Sequence, residues 1–487
     1  MSVTTIEILS HADYSGRIRR QRDASGLQYF KKAVDRIRNN DPDHTLLLDA
    51  GDNSKHLLWD DFVQEEVKWL KTDVFELGNH EFDKGAEELE KRIARLQGHT
   101  EVLCSNIVYR SDGSFIRGVK PYVVLEKGNV RYGILGLCTE YTPYMVTGPM
   151  IEPFKVLDSV QLARRYIPQM RREGAEIIIL LTHFPFYEDH TGEMFSVFEQ
   201  IKDLKPDVMI GGHIPGDFAE VVDGCCITKA GFGGKSLGRA TLLFDEESRK
   251  VINRKAEVID VWNGEKEEDA ETLSLISEVM APYEYYFSEP LCEIERDLPM
   301  RLDFESPMGD LIADGVREMT GKDFVYFNCT SCGRKMEKGP LTRFGISEAM
   351  GFNDELYESV YTGKDIRDLF EHVHVPERFG NNGNIIFSGL MVKMDHTRPA
   401  GQKVVFIRDM QGNDIEDERE FTVMTSQYMS TGGNDTRAIA GRKKWNNTHL
   451  RVHDVLADYF RKVGKVDEVK LGRYEFIGKP ENDNSPW

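Results

Sequence analysis

Leu77-Gly78-Asn79-His80-Glu81-Phe82-Asp83 follows an apolar run, 73–77, that has the pattern of a strand end. A glycine at that point allows a sharp turn. The amide oxygen of Asn79 is a neutral hard ligand suited to one position around a divalent ion. The His80 imidazole can donate to a phosphoryl oxygen or a leaving group. Asp83, three residues on, is spaced to accept from its second nitrogen and keep the ring oriented and cationic. Taken alone, an Asn-His turn at a strand end is more often plain structure, so the heptad gains weight only from what stands at the other strand ends.

Four further polar clusters close apolar runs: Ser10-His11-Ala12-Asp13-Tyr14-Ser15-Gly16, Asp49-Ala50-Gly51-Asp52-Asn53, Thr182-His183-Phe184 and Gly211-Gly212-His213. In α/β sheets the carboxyl ends of the strands gather on one side, and ligands bind there. Asp13, Asp52, Asn79, His80, His183 and His213 are therefore expected in one place. Each has a local explanation: Asp13 as a turn former, Asp52 as a helix cap, each histidine as a satisfied polar side chain. Their recurrence at five strand ends points to a site.

Strand patterns fall at 6–9, 45–49, 74–77, 101–104, 132–137, 176–182, 208–210, 226–229 and 240–244. Helical patterns fall between them at 26–39, 59–71, 85–96, 160–173 and 195–204. This alternation predicts an α/β fold with helices covering a mostly buried sheet. The last two strands, with no helix between them, suggest an antiparallel edge or a second sheet. A chain of 487 residues exceeds what one core usually supports, so two domains are expected. The divisions are 1–262, an acidic connector with a linker helix at 263–292, and 293–487, where 304–320 reads as a helix opened by Ser306-Pro307. The tail, 478–487, is expected to be loose.

A net charge of −20 argues against nucleic acid or an anionic membrane as partner, though not against a small phosphate held by a metal ion and an arginine. No run approaches the roughly 18 apolar residues of a membrane span. The first ten residues lack the pattern of a signal peptide, and the seven cysteines are scattered without a framework spacing, so a cytoplasmic protein is expected. Cys329-Thr330-Ser331-Cys332 is a lone CxxC, at best half a zinc site, and no metal or redox role is expected of it.

The ordered strand-end set resembles the calcineurin-like metallophosphoesterases, whose motifs run D-x-H, G-D, G-N-H-E/D, H and G-H-x-H. Ala230-Gly231-Phe232-Gly233-Gly234-Lys235-Ser236-Leu237-Gly238-Arg239 is similar to the A-G-x-x-G-x-x-L-G-R segment of the 5′-nucleotidase family. The second half is similar to that family's substrate domain at Ser306-Pro307-Met308-Gly309-Asp310, Gly351-Phe352-Asn353-Asp354, Tyr361-Thr362-Gly363, Phe387-Ser388-Gly389-Leu390 and Tyr428-Met429-Ser430-Thr431-Gly432-Gly433-Asn434. The resemblance implies a two-sheet metallophosphoesterase sandwich flanked by helices, then a second α/β, substrate-binding domain. It implies hydrolysis of a nucleotide-like phosphomonoester, in nucleotide catabolism, by attack of a metal-bound water. Divalent ions (Mn, Mg, Zn or Co), one or two per chain, are the implied cofactors. Asp52 matches the bridging carboxylate, Asn79, His183 and His213 the other ligands of one ion, and Asp13 a ligand of the second. His80 matches the catalytic imidazole and Asp83 its partner.

The sequence departs from the pattern at the second ion. Ser15 replaces the histidine of D-x-H, and Pro215 replaces the last residue of G-H-x-H. Three outcomes fit: a harder cation held by Asp13, Asp52 and water; a substitute ligand, His11 or His56; or a single-metal or inactive protein, which would be a single-metal phosphodiesterase or an impaired nucleotidase that binds a nucleotide as a sensor. A backbone hydrogen bond is the favoured role for His11. The substrate domain also departs. The family clamps a base between two aromatic rings, each worth about 1–3 kcal/mol, with an arginine on phosphate and an aspartate on ribose. Tyr428 matches one ring, but Asn384 stands at the other. Asn434, followed by Asp435, takes the place of the aspartate. Arg334, in a loop one residue longer than the family's, matches the phosphate contact.

Overall fold

The computed structural model describes residues 2–20, 24–54, 63–302, 305–333, 335–373 and 384–478. His56, Arg334, the expected helix starts at 59 and 304, and nearly all of the tail lie outside the described residues. Two compact units divide the chain, Met1–Pro282 and Tyr283–Trp487.

In the first unit the strands are β1 (Val3–His11), β2 (Thr45–Asp49), β3 (Val74–Glu76), β4 (Glu101–Leu103) and β5 (Ile107–Tyr109). β6 (Tyr122–Lys127), β7 (Val130–Cys138), β8 (Phe154–Val156), β9 (Ile177–His183) and β10 (Val208–Gly211) follow. The last are β11 (Phe218–Val222), β12 (Cys225–Lys229), β13 (Ser236–Asp245) and β14 (Lys250–Asp260). They form two six-stranded sheets, ordered β14-β13-β1-β2-β3-β4 and β11-β12-β10-β9-β7-β6, and a small β5-β8 pair. β1 to β4 run parallel in the first sheet; β7, β9, β10 and β12 run parallel in the second.

The sheets face each other across one apolar layer that joins Ile8, Leu46 and Leu48 to Ile134, Ile179 and Ile210. Strands buried on both faces read as continuous apolar runs, as β2 and β9 do. Helices Ser159–Arg172 and Glu193–Ile201 bury Tyr166, Met170 and Phe198 against the outer face of the second sheet. Helix Gly85–Leu96 sets Leu89 and Ile93 against Phe75 and Val102 of the first.

The patterns at 226–229 and 240–244, which have no helix between them, bear out the expected second sheet: β12 lies in the second sheet and β13 in the first. The Ala230–Lys235 turn carries the chain between them, and β13 closes antiparallel on β1. β6, β11 and β14 left no clear signal in the sequence because they are edge strands, largely half-buried or exposed, with mixed side chains. The acidic stretch after 262 is fastened to this unit, with Arg36 pairing to buried Glu265 at 2.9 Å.

The second unit is built on a five-stranded sheet ordered Ile385–Ser388, Phe324–Asn328, Glu420–Ser426, Glu355–Thr362 and Asn446–Arg451, with separate apolar clusters containing Val325 and Phe324. Helix Pro307–Thr320 starts as its sequence suggests: Ser306 accepts from Gly309 N–H, proline occupies the first turn, and Gly321 (φ 66°) ends it. Buried Asp310 of the same motif meets Arg473 Nε at 3.1 Å. The CxxC pair is core packing, with Cys332 Sγ 3.9 Å from Met350 Sδ and Cys329 Sγ 3.5 Å from Leu302 O.

Candidate metal centre

The parallel strands β1, β2 and β3 of one sheet and β9 and β10 of the other deliver their carboxyl ends to the same place. Their exit loops are tightly wound. Asp13 (φ 56°), Ser15 (φ 54°), Asp52 (φ 60°) and His213 (φ 73°) all adopt the left-handed conformation, which non-glycine residues rarely hold without surrounding support. That support is backbone hydrogen bonding. Asp13 N–H donates to Gly51 O at 2.8 Å and Ser15 N–H to Asp52 O at 3.0 Å. Gly233 N–H, from the A-G-F-G-G segment, donates to Asp13 O at 3.0 Å.

Gly78 is needed for a reason other than the turn. A Cβ there would lie 2.2 Å from Asp52 Oδ1. The missing side chain lets the β3 loop close onto Asp52, and His80 N–H then donates to Asp52 Oδ1 at 2.8 Å.

Glu81, in the same heptad, has a part that the sequence did not disclose. Its buried carboxylate accepts from the N–H groups of Asp52 at 2.9 Å, Asn53 at 3.0 Å and Gly78 at 2.7 Å. It thereby staples the β2 and β3 loops together. Burial and the adjacent Asp52 charge raise it to about 7.

Four side chains converge. His183 Nε2 lies 3.0 Å from Asp52 Oδ2, and His213 Nδ1 lies 2.8 Å from Asn79 Oδ1. The ligand atoms of Asp52, His183 and His213 all fall within 4.8 Å of one another. Metal–ligand bonds of about 2.0–2.2 Å set neighbouring ligand atoms about 3 Å apart, so this spacing suits a shared divalent ion. The hydrogen-bond pattern agrees. His183 Nδ1–H donates to Ala50 O at 2.6 Å, which aims Nε2 at Asp52, yet buried Nε2 has no hydrogen-bond partner among the described residues. A second partner that sets the tautomer is what a ligating histidine requires.

The charges are strongly coupled. Burial alone would push Asp52 up, but His183 and His80 outweigh it and hold its carboxyl well below the usual range. Burial disfavours a charge on His183, but Asp52 reverses this and raises it to about 10. Burial and the His183 charge lower His213 to about 3, leaving it neutral as a ligand must be. Asp13 is raised to about 7 by burial, and its Oδ2 accepts from His213 N–H at 2.9 Å.

His80 stands at the rim, half-buried. Its Nδ1–H donates to Asp83 Oδ2 at 2.7 Å, and its Nε2 lies 3.9 Å from Asp52 Oδ2. This is the orienting pair that the heptad spacing suggested.

His11 does not make the backbone bond expected of it. Its ring is enclosed by Tyr14 and Phe30, Nε2 is 3.7 Å from Asp49 Oδ2, and neither nitrogen has a hydrogen-bond partner among the described residues. Strand alternation is the reason. Ser10 points to Thr228 of the second sheet, so His11 turns to the opposite face. In the second unit Tyr428 is half-buried against the apolar cluster, its ring lies over Gly433, and Asn434 N–H donates to its hydroxyl at 3.1 Å. Asn384 is buried, and its Oδ1 accepts from Ile385 N–H.

Comparison with known proteins agrees with both halves. Residues 11–217 match the calcineurin-like phosphoesterase family and 293–441 the 5′-nucleotidase C-terminal domain. The chain is similar to an apyrase of Aedes aegypti, 25% identical over 91% of this chain and 85% of the relative. It is similar to a snake venom 5′-nucleotidase of Gloydius brevicauda, 24% identical over 89% of this chain and 80% of the relative. Its fold is similar to that of a 5′-nucleotidase precursor from Thermus thermophilus, with a TM-score of 0.82 at 22% identity, covering 98% of this chain and 100% of the other. With a metal-ligand cluster at the strand ends of one half and a matching substrate-type domain in the other, the chain belongs to the 5′-nucleotidase family, built from a calcineurin-like phosphoesterase domain and a 5′-nucleotidase C-terminal domain.

Proposed function

We propose that this metal-dependent phosphoester hydrolase removes phosphate from a nucleotide-like phosphomonoester. The observation that carries the reading is the convergence of Asp52, Asn79, His183 and His213 beside the His80–Asp83 pair. A bound divalent ion supplies Lewis acidity toward a phosphoryl oxygen and toward water. Asp52, Asn79, His183 and His213 would hold it. Asp83 keeps the His80 ring aligned, and His80 Nε2 donates to the phosphoryl oxygen or to the leaving group as negative charge grows.

For the substrate we propose Tyr428 as a stacking surface for the base, with Asn434 beside it and Arg334 as the phosphate contact. The Tyr428 hydroxyl accepts from Asn434 N–H and donates to Asn434 Oδ1 at 3.2 Å, which orients both side chains and supports a joint role. A cytoplasmic location is proposed on the seven free thiols, six of them buried. Among the described residues no helix is long and apolar enough to cross a membrane.

The test is phosphate release from a panel of nucleoside mono-, di- and triphosphates, with Mg²⁺, Mn²⁺, Co²⁺ or Zn²⁺ supplied in turn. Mono-p-nitrophenyl phosphate run beside its bis ester separates monoester from diester cleavage. Metal-dependent release from at least one monoester is expected; no release under any metal overturns the reading.

A further inference from the structure

Ser15 and Pro215 leave Asp13 short of metal-ligating neighbours. Proline has no side-chain donor atom. Among the described residues Asp52, His183 and His213 are the group of histidine, cysteine and carboxylate side chains that converges closely enough for an ion, and Asp13 is not in it.

A buried lysine stands on that side instead. Lys229 ends β12, paired in register with Gly211, two residues before His213. Its residue is 4% exposed. Nζ donates to Phe186 O at 3.1 Å, lies 4.6 Å from the Phe186 ring centroid, and would sit 3.8 Å from a Cβ on Gly216, the residue after Pro215. Asp13 Oδ2 accepts from His213 N–H at 2.9 Å, so that carboxylate sits against the same β10 exit loop that Lys229 borders at Gly211 and Gly216. Burial lowers Lys229 to about 8, against the support of nearby carboxylates. Among the described residues Phe186 O accepts one of its three donors, and the Phe186 ring faces the ammonium as well.

We propose that this chain works with one divalent ion, held by Asp52, Asn79, His183 and His213, and that the Lys229 ammonium is the fixed positive charge on the Asp13 side of it. The inference rests on the phosphohydrolase reading above. A phosphoryl group gathers negative charge as it transfers, and a lysine is a compact point charge for phosphate. A second divalent ion would meet that ammonium as a like charge, with serine and proline where its ligands should be.

The experiment strips the full-length protein with chelator and titrates Mn²⁺ calorimetrically, with bound metal counted independently by elemental analysis. One Mn²⁺ per chain is expected. Lys229→Met should bind Mn²⁺ about tenfold more tightly, because a like charge is gone, while its phosphate release falls at least about tenfold. Lys229→Arg should keep the wild-type affinity and much of the rate. Two ions on the wild-type chain overturn the proposal and leave the hydrolase reading standing. So does a Lys229→Met protein with unchanged affinity and rate, or one that loses Mn²⁺ affinity and thermal stability together, as a merely structural lysine would. If Lys229→Met does not fold, the wild-type count decides. No bound ion and no hydrolysis overturns both readings.

Discussion

His183 Nε2 lies 3.0 Å from Asp52 Oδ2, yet the two are not aligned as a hydrogen bond. The ring is held from behind through Nδ1 and Ala50 O. Two potential ligands thus point at a common place, which sets the first prediction. His183→Ala should weaken Mn²⁺ binding by more than about 100-fold, read by calorimetry, and lower kcat/KM with it. Unchanged affinity would remove His183 from the site.

Metal binding should release protons. In the metal-free protein His183 is raised to about 10, and Asp13 and Glu81 to about 7, so near neutral pH several of these groups hold protons that a cation displaces. The sign follows: Mn²⁺ affinity rises as pH rises from about 6 to about 8. About one to two protons per chain should leave, measured as the dependence of binding heat on buffer ionisation enthalpy. Affinity independent of pH would contradict the ligand set.

Asp83 is a positioning residue. Asp83→Asn keeps the shape but removes the charge that orients His80. kcat should fall about 10- to 100-fold with KM little changed, and the acid limb of the kcat–pH profile should shift. A change confined to KM would place the pair on substrate binding instead.

Glu81 ties two loops together through backbone N–H groups. Glu81→Ala should cost about 2–4 kcal/mol of stability and weaken metal binding, with Glu81→Gln intermediate because its amide keeps one acceptor. Thermal melts with and without Mn²⁺ check this. A neutral Glu81→Ala would mean that the left-handed loops support themselves.

Tyr428→Ala should raise KM for a nucleotide by about tenfold or more through loss of stacking, while leaving the rate on p-nitrophenyl phosphate within about twofold. Equal losses on both substrates would make Tyr428 a core residue.

His453 offers a pH test of the second unit. Desolvation lowers it to about 4, and its Nε2–H donates to Met350 O at 2.6 Å. A depressed folded-state value contributes stability that is complete above the unfolded value near 6.5 and is lost as pH falls toward about 4. The wild type should lose about 1–3 kcal/mol over that interval, and His453→Gln should flatten the corresponding part of the denaturation curve.

Much of the site was legible from local pattern. Parallel strands buried on both faces leave unbroken apolar runs, as at Thr45–Asp49 and Ile177–His183, and the polar residues just past them mark the sheet's carboxyl edge. The three-residue step from His80 to Asp83 spans a single turn, so that pair was readable too. Edge strands such as Phe218–Val222 were not, because their half-buried faces impose no consistent alternation.

The kind and order of the candidate ligands, and the serine and proline at Ser15 and Pro215, are written in the chain itself. Where the remaining groups point was settled by folding. One step of strand alternation turned His11 among aromatic rings, a register pairing brought Lys229 beside Gly211, and the closeness of Asp52 made Gly78 obligatory. Each depends on pairing between segments far apart in the chain, and a linear pattern carries local periodicity but not the register between distant strands.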